Sequence, residues 1–228
     1  MNALIQFLIE TKGIPENSIL LVLMLPIVAT IIAVWRQIIG LKTFGIYAPI
    51  IITFAFYQLG MTPDGLNLLQ GLKYGLALSL VVFVTAALAH EVTRKIQLHY
   101  LPKMSIVLSL VAIGVFGVLV LASYLNKEGF VSVDTLPVLL MITVAEQQIS
   151  IYIKKGKKAA YVLTIGTVCI STLTYCLISW HKLQDIILKY PFLPLLTLII
   201  NLVIGKWTGF RIIEYFRFKS LLKPSESH

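Results

Sequence analysis

The sequence predicts an all-α protein: a polytopic transmembrane bundle of seven helices, N-terminus outside and C-terminus in the cytoplasm. Three observations carry this expectation. Of 228 residues, 58% are hydrophobic and only 13% are charged, too little charge to cover a soluble domain of this length. Mean hydropathy is +0.90. The apolar residues fall in long runs, and about 20 helical residues at ~1.5 Å each cross a ~30 Å hydrocarbon core.

Taken in order, residues 1–17 form an N-terminal interfacial segment. There is no basic region or small-residue cleavage site before the first long run, so a cleaved signal peptide is not expected. Ala3 to Ile9 is too short to span. Residues 18–206 form the seven-helix domain, with apolar segments near 18–35, 44–60, 71–90, 104–125, 136–153, 159–180 and 190–206. Pro191 and Pro194 are expected in the first turn of the last helix, where proline is tolerated. Residues 207–228 read as a cytoplasmic basic amphipathic tail. In it Trp207, Tyr215 and Phe216 alternate with Arg211, Arg217, Lys219 and Lys223, a pattern suited to anionic lipid heads at the inner face or to a cytoplasmic protein.

The net charge of +9 reads as topology rather than nucleic-acid affinity, because Lys and Arg collect on the cytoplasmic side. With seven spans and the N-terminus outside, 14 of the 19 Lys and Arg residues lie inside. A rival arrangement makes segment 44–60 re-entrant. It moves Lys12, Arg36 and Lys42 across and leaves 13 inside, so charge alone barely separates the two. A re-entrant segment needs protein or water around its unpaired backbone. Cys169 and Cys176 lie seven residues apart in one run, roughly 10 Å along a helix; that is too far for a disulfide, and they read as packing residues.

No catalytic set is legible. His90-Glu91 begins like a zinc-protease helix, but Arg94 stands where the second histidine belongs. His90 and His99 therefore read as solvated loop histidines. No phosphate-binding glycine loop or nucleophile elbow is present. An enzyme is not expected, and no pattern calls for a metal or cofactor.

The fifth segment, LPVLLMITVAEQQISIYIKKGKK, is the most informative. Glu146 precedes Lys154 by eight residues, roughly 12 Å inside the end of the helix. A charge there is costly, so it should face the bundle with a partner or be protonated. Thr143, Gln147, Ser150 and Lys154 recur at helical spacing and form a stripe beside it. The stripe reads either as interhelical hydrogen-bond glue or as a site for a ligand, proton or partner segment. Arg36 or Arg211, on the same side, is a candidate partner for Glu146. The basic KKGKK corner is accounted for by setting topology.

Three stretches occur in order: LPIVATIIAVWRQIIGLKTFGIYAP, LPVLLMITVAEQQISIYIKKG and IGKWTGFRIIEYFRF. Together they resemble the bacterial seven-transmembrane domain usually fused to an inactive transglutaminase-like domain. The matching positions are Arg36, Gly40, Thr43, Phe44, Gly45, Pro49, Glu146, Gly205, Thr208, Gly209, Arg211, Glu214 and Arg217. The resemblance implies seven helices, a bacterial inner-membrane location and an extracytoplasmic domain preceding the first helix. Such domains are typically encoded near an ATP-grasp ligase and a retropepsin-like protease, which implies a peptide-modification or amino-acid-conjugation system. No transglutaminase-like domain is present here, so whatever the chain binds outside is expected to come from another chain or not to be needed. Where the family often has an arginine after the glutamate, this sequence has Gln147.

Two functions follow. The first is a non-catalytic membrane module that anchors or regulates a partner complex, with an ATP-grasp ligase as the cytoplasmic candidate. Its polar site would be Glu146, Gln147, Thr143, Ser150 and Arg36. Its inner face would use Lys42, Thr43, Gly45, Pro49, Thr208, Arg211, Glu214 and Arg217. The alternative is a small transporter or exporter of a peptide or amino-acid conjugate using Glu146. Gly45 and Pro49 would there mark a discontinuous helix.

Overall fold

The structure is a computed structural model that describes residues 3–62, 65–94, 99–124 and 135–206. Its helices are α1 (Ala3–Lys12), α2 (Glu16–Val34), α3 (Tyr47–Gly60), α4 (Leu68–Arg94), α5 (Tyr100–Tyr124), α6 (Thr135–Lys155), α7 (Lys157–Ile178), α8 (His181–Lys189) and α9 (Leu193–Gly205). A π-helical turn, Trp35–Ile39, extends α2. Two short strands, β1 (Met61–Thr62) and β2 (Gly65–Leu66), pair antiparallel between α3 and α4.

Five stretches among the described residues are long and apolar enough to cross a membrane: Glu16–Ile39, Leu68–Thr93, Leu101–Leu121, Thr135–Lys155 and Lys157–Ile178. They coincide with five of the seven expected segments. The other two differ. α3 has 14 residues, about 21 Å at helical rise. The last expected segment, 190–206, holds only α9, 13 residues long, which meets the preceding α8 at 106°. Pro194 sits in the first turn of α9, but Pro191 lies before that helix, in the bend. α8 is amphipathic. It buries Ile187 and exposes His181, Lys182, Asp185 and Lys189, with Trp180, Tyr190 and Phe192 exposed at its ends. Aromatic side chains of this kind sit at the membrane–water boundary.

The chain divides into two units. In the first, residues 1–42 and 180–228, α2 packs on α8 and α9. The Asn201 amide donates to Thr30 Oγ1 at 2.9 Å, and Thr30 in turn donates to the Pro26 carbonyl at 2.8 Å. Met24, Val28 and Ile32, four residues apart, are fully buried.

The second unit, residues 43–179, is a bundle of α3 to α7 with α3 at its centre. α3 packs on α4, α6 and α7, while α5 lies against α4 and α6. Nine of the thirteen positions of α3 from Ala48 to Gly60 are buried, and none is exposed. The approach is close because glycines face it: at Gly71 and Gly75 of α4 there is no room for a Cβ beside Phe56. In lipid there is no hydrophobic drive between helices, so such van der Waals contact is what holds them. Elsewhere α4, α5 and α7 turn Leu80, Leu88, Ile113, Phe116 and Ile165 outward, as lipid-facing helices do.

Candidate functional site

The stretch Thr43–Pro49 is built as an intramembrane break, not as a surface turn. Gly45 has φ +74°, a left-handed value that glycine adopts without a Cβ penalty. This lets the chain turn sharply into α3. The Phe44 ring lies 6.4 Å from Phe83, and its N–H donates to Thr167 Oγ1 at 3.1 Å. Phe83 precedes Glu91 by eight residues and Thr167 follows Lys157 by ten, so this irregular backbone lies roughly 12–15 Å along the bundle from the Glu91–Lys157 end. At such depth irregular backbone survives only if protein satisfies it. The hydroxyls of α7 and α3 do so. Thr167 Oγ1 accepts from Phe44 and donates to the Leu163 carbonyl at 2.7 Å. The Pro49 carbonyl oxygen lies 2.7 Å from Thr53 Oγ1 and 3.1 Å from Ser171 Oγ. Thr43 Oγ1 donates to the Gly45 carbonyl at 2.7 Å.

This geometry revises the expected inner face. Thr43 and Pro49 are buried and bonded within the chain, so they offer nothing to a partner there; Lys42 and Gly45 are exposed. The burial has a local cause, since Pro49 occupies the first turn of α3, where its missing N–H is harmless. Arg36 is half-buried in the π-helical turn of the first unit. Thr208, Arg211, Glu214 and Arg217 lie outside the described residues, as does the rest of the 207–228 tail.

α6 places the polar stripe on its outward side. Its inward face buries Pro137, Met141, Val144, Ala145, Gln148, Ile149 and Tyr152. Thr143 and Glu146 are exposed, and Gln147 and Ser150 are half-buried. Together with Ile151 they line a shallow concavity of about 430 Å³. Thr143 Oγ1 donates to its own helix, at the Leu139 carbonyl, 3.0 Å away. Glu146 therefore does not point into the second unit, as its cost in lipid had implied. Among the described residues of that unit, no cation pairs with it. The physical reason is rotational: at 100° per residue the apolar residues of α6 claim one side, and the glutamate falls on the other.

His90 also departs from expectation. It is a buried residue of α4, 4% exposed, with its ring 4.3 Å from that of Tyr152; His99 is exposed. Beside it Glu91 accepts from the Tyr152 hydroxyl at 2.5 Å and pairs with Lys157 at 2.5 Å. This cluster fastens the ends of α4, α6 and α7. Sequence reasoning missed it because its members are 61 and 66 positions apart. Half-exposed in water, such a pair contributes little by itself. Among the described residues no group of three His, Cys, Asp or Glu side chains is arranged to hold a metal. Both cysteines are free; Cys169 is exposed rather than packed.

A family model described as seven transmembrane helices usually fused to an inactive transglutaminase matches residues 1–222. No curated protein and no solved structure matches the chain.

Proposed function

Because the chain belongs to the family of seven-transmembrane-helix domains usually fused to an inactive transglutaminase, we propose that it is a non-catalytic integral membrane module that holds a partner in the bilayer. The observation that carries this reading is the outward face of α6. Thr143, Glu146, Gln147 and Ser150 sit on a membrane-length helix, on the side away from its bundle. Lipid cannot satisfy a carboxylate and an amide there. A covering segment with donors or a cation can. The partner we propose is an ATP-grasp ligase at the cytoplasmic face or a separate extracytoplasmic domain, within a system that modifies peptides or amino acids in the bacterial inner membrane.

In this reading the bundle crosses the membrane seven times, with the N-terminus outside and α3 and α9 as the two short spans. Lys42 and Leu69 are both exposed and flank α3. In a chain whose Cys169 and Cys176 are replaced by alanine, Leu69→Cys should react with an impermeant thiol reagent in intact cells, and Lys42→Cys only once the membrane is permeabilised. Reaction of both from one side would make α3 re-entrant.

The functional test is capture in native lipid. A stoichiometric protein should co-purify with the unaltered chain, and its affinity should fall by about ten- to a hundredfold with Glu146→Gln, the loss expected when one charge-assisted contact worth about 1.5–3 kcal/mol is removed. Undiminished capture by the Glu146→Gln chain would remove the α6 face from the proposal. The alternative, transport of a peptide or amino-acid conjugate, is favoured by the break before α3. It requires flux in proteoliposomes that Glu146→Gln abolishes.

A further inference from the structure

A second feature of the bundle is independent of the α6 outward face. α4 and α7 diverge to leave a furrow of about 780 Å³, within the size range of small-molecule sites. Its walls run from Leu76 to Leu88 on α4 and from Tyr161 to Leu173 on α7. Each wall spans thirteen residues, roughly 18 Å at helical rise. The accessible lining is mostly apolar, the Ser79 and Thr164 hydroxyls on it donate to carbonyls of their own helices, and its rims are open: Leu80, Val84, Leu88 and Ile165 are exposed.

At the back of this furrow, from α6, stands Gln148. It is only 2% exposed, and its Oε1 has no hydrogen-bond partner. Thr172 Oγ1, on the α7 wall, is likewise buried without a partner. A buried amide oxygen left unmatched is unfavourable by more than a typical hydrogen bond contributes. In hydrocarbon there is no bulk water to relieve it. Gln148 precedes the end of α6 by seven residues, so it lies about a third of the way along the furrow from the Glu91–Lys157 end, and roughly 12 Å of wall extends beyond it.

We infer that the α4–α7 furrow is a binding site for a single-chain amphiphile: a long hydrocarbon chain carrying an O–H or N–H donor, with the chain along the walls and the donor on Gln148 Oε1. An ordinary diacyl ester lipid supplies the chain but no donor at its esters, so the site discriminates against bulk lipid by that one hydrogen bond. Cys169 lines the same furrow and is exposed, which gives a built-in reporter position.

The test uses the full chain in nanodiscs and three photoreactive probes of equal chain length: a primary alcohol, a primary amide and the methyl ether of the alcohol. The alcohol or the amide should label the furrow walls about tenfold more than the ether, the factor expected for one hydrogen bond in apolar surroundings. Gln148→Met should bring the donor probes down to the ether's level. Ile165→Trp alters an exposed rim position, 70% exposed, and should block labelling by filling the furrow without touching Gln148. If Gln148→Met does not fold, the donor-over-ether preference and its loss in Ile165→Trp decide. Equal labelling by all three probes would reduce the furrow to ordinary lipid contact. Cross-linking of Cys169 to a second chain, with no probe labelling, would mean that another copy covers it. Either result overturns the proposal.

Discussion

Gly71→Ala destabilises the bundle by about 1–3 kcal/mol, the usual cost of overpacking a close contact, although alanine is the better helix former by about 1 kcal/mol. The added Cβ falls 2.6 Å from the Phe56 carbonyl oxygen, 2.8 Å from Tyr175 Cζ and against the Tyr175 hydroxyl. None of these can yield cheaply. The carbonyl is part of the α3 backbone. Tyr175 is fully buried, edge-on to Phe56 with ring centroids 5.9 Å apart, and its hydroxyl donates to the Leu68 carbonyl at 3.3 Å. A larger residue, as in Gly71→Val, should prevent folding. The control is Gly117→Ala on α5, where nothing lies within 4 Å of the added carbon; helix propensity should there leave stability unchanged or raised. Thermal unfolding of the three variants in one detergent reads the contrast. Equal behaviour of Gly71→Ala and Gly117→Ala would refute the close α3–α4 contact.

The second large effect is expected at Thr167. Replacing it by valine keeps the shape and removes the acceptor of the buried Phe44 N–H. An orphaned buried donor is unfavourable by about 1–3 kcal/mol, and here the nearest alternative is hydrocarbon rather than water. Thr85→Val is the matched control, because Thr85 Oγ1 bonds only to carbonyls of its own helix, Val81 and Val82. If Thr167→Val unfolds no earlier than Thr85→Val, the break before α3 is not held by the α7 hydroxyls. The two predictions address opposite ends of α3 and should be additive, since distant sites without shared partners usually are.

The long helices were legible because run length is a direct physical signal: α2 and α4 to α7 each appear as an apolar run sized to the bilayer. α3 was legible only as an apolar stretch. Residues 44–60 read the same whether the helix starts at the membrane surface or part-way through it. The depth is fixed by Phe83 and Thr167, which are remote in sequence. α8 was missed because an amphipathic surface helix between Trp180 and Tyr190 has no run at all, only Leu183, Ile186 and Ile187 at helical spacing. In Glu146-Gln147-Gln148 three polar residues follow one another, and composition cannot say which way each points. Helical rotation separates them: Gln148 shares the side of Val144, Ala145 and Tyr152 and goes inward, while Glu146 goes out. His90 was misread because charged neighbours suggested a loop, whereas Glu91 and Arg94 still belong to α4.

The claim at the centre is that the polar face of α6 is covered by a partner in the native membrane. The measurement is quenching of a fluorophore at Gln147→Cys by nitroxide-labelled lipid, in a chain whose Cys169 and Cys176 are replaced by alanine. Strong quenching is expected for the purified chain reconstituted alone, and protection in native membranes. Equal quenching in the two settings would contradict it.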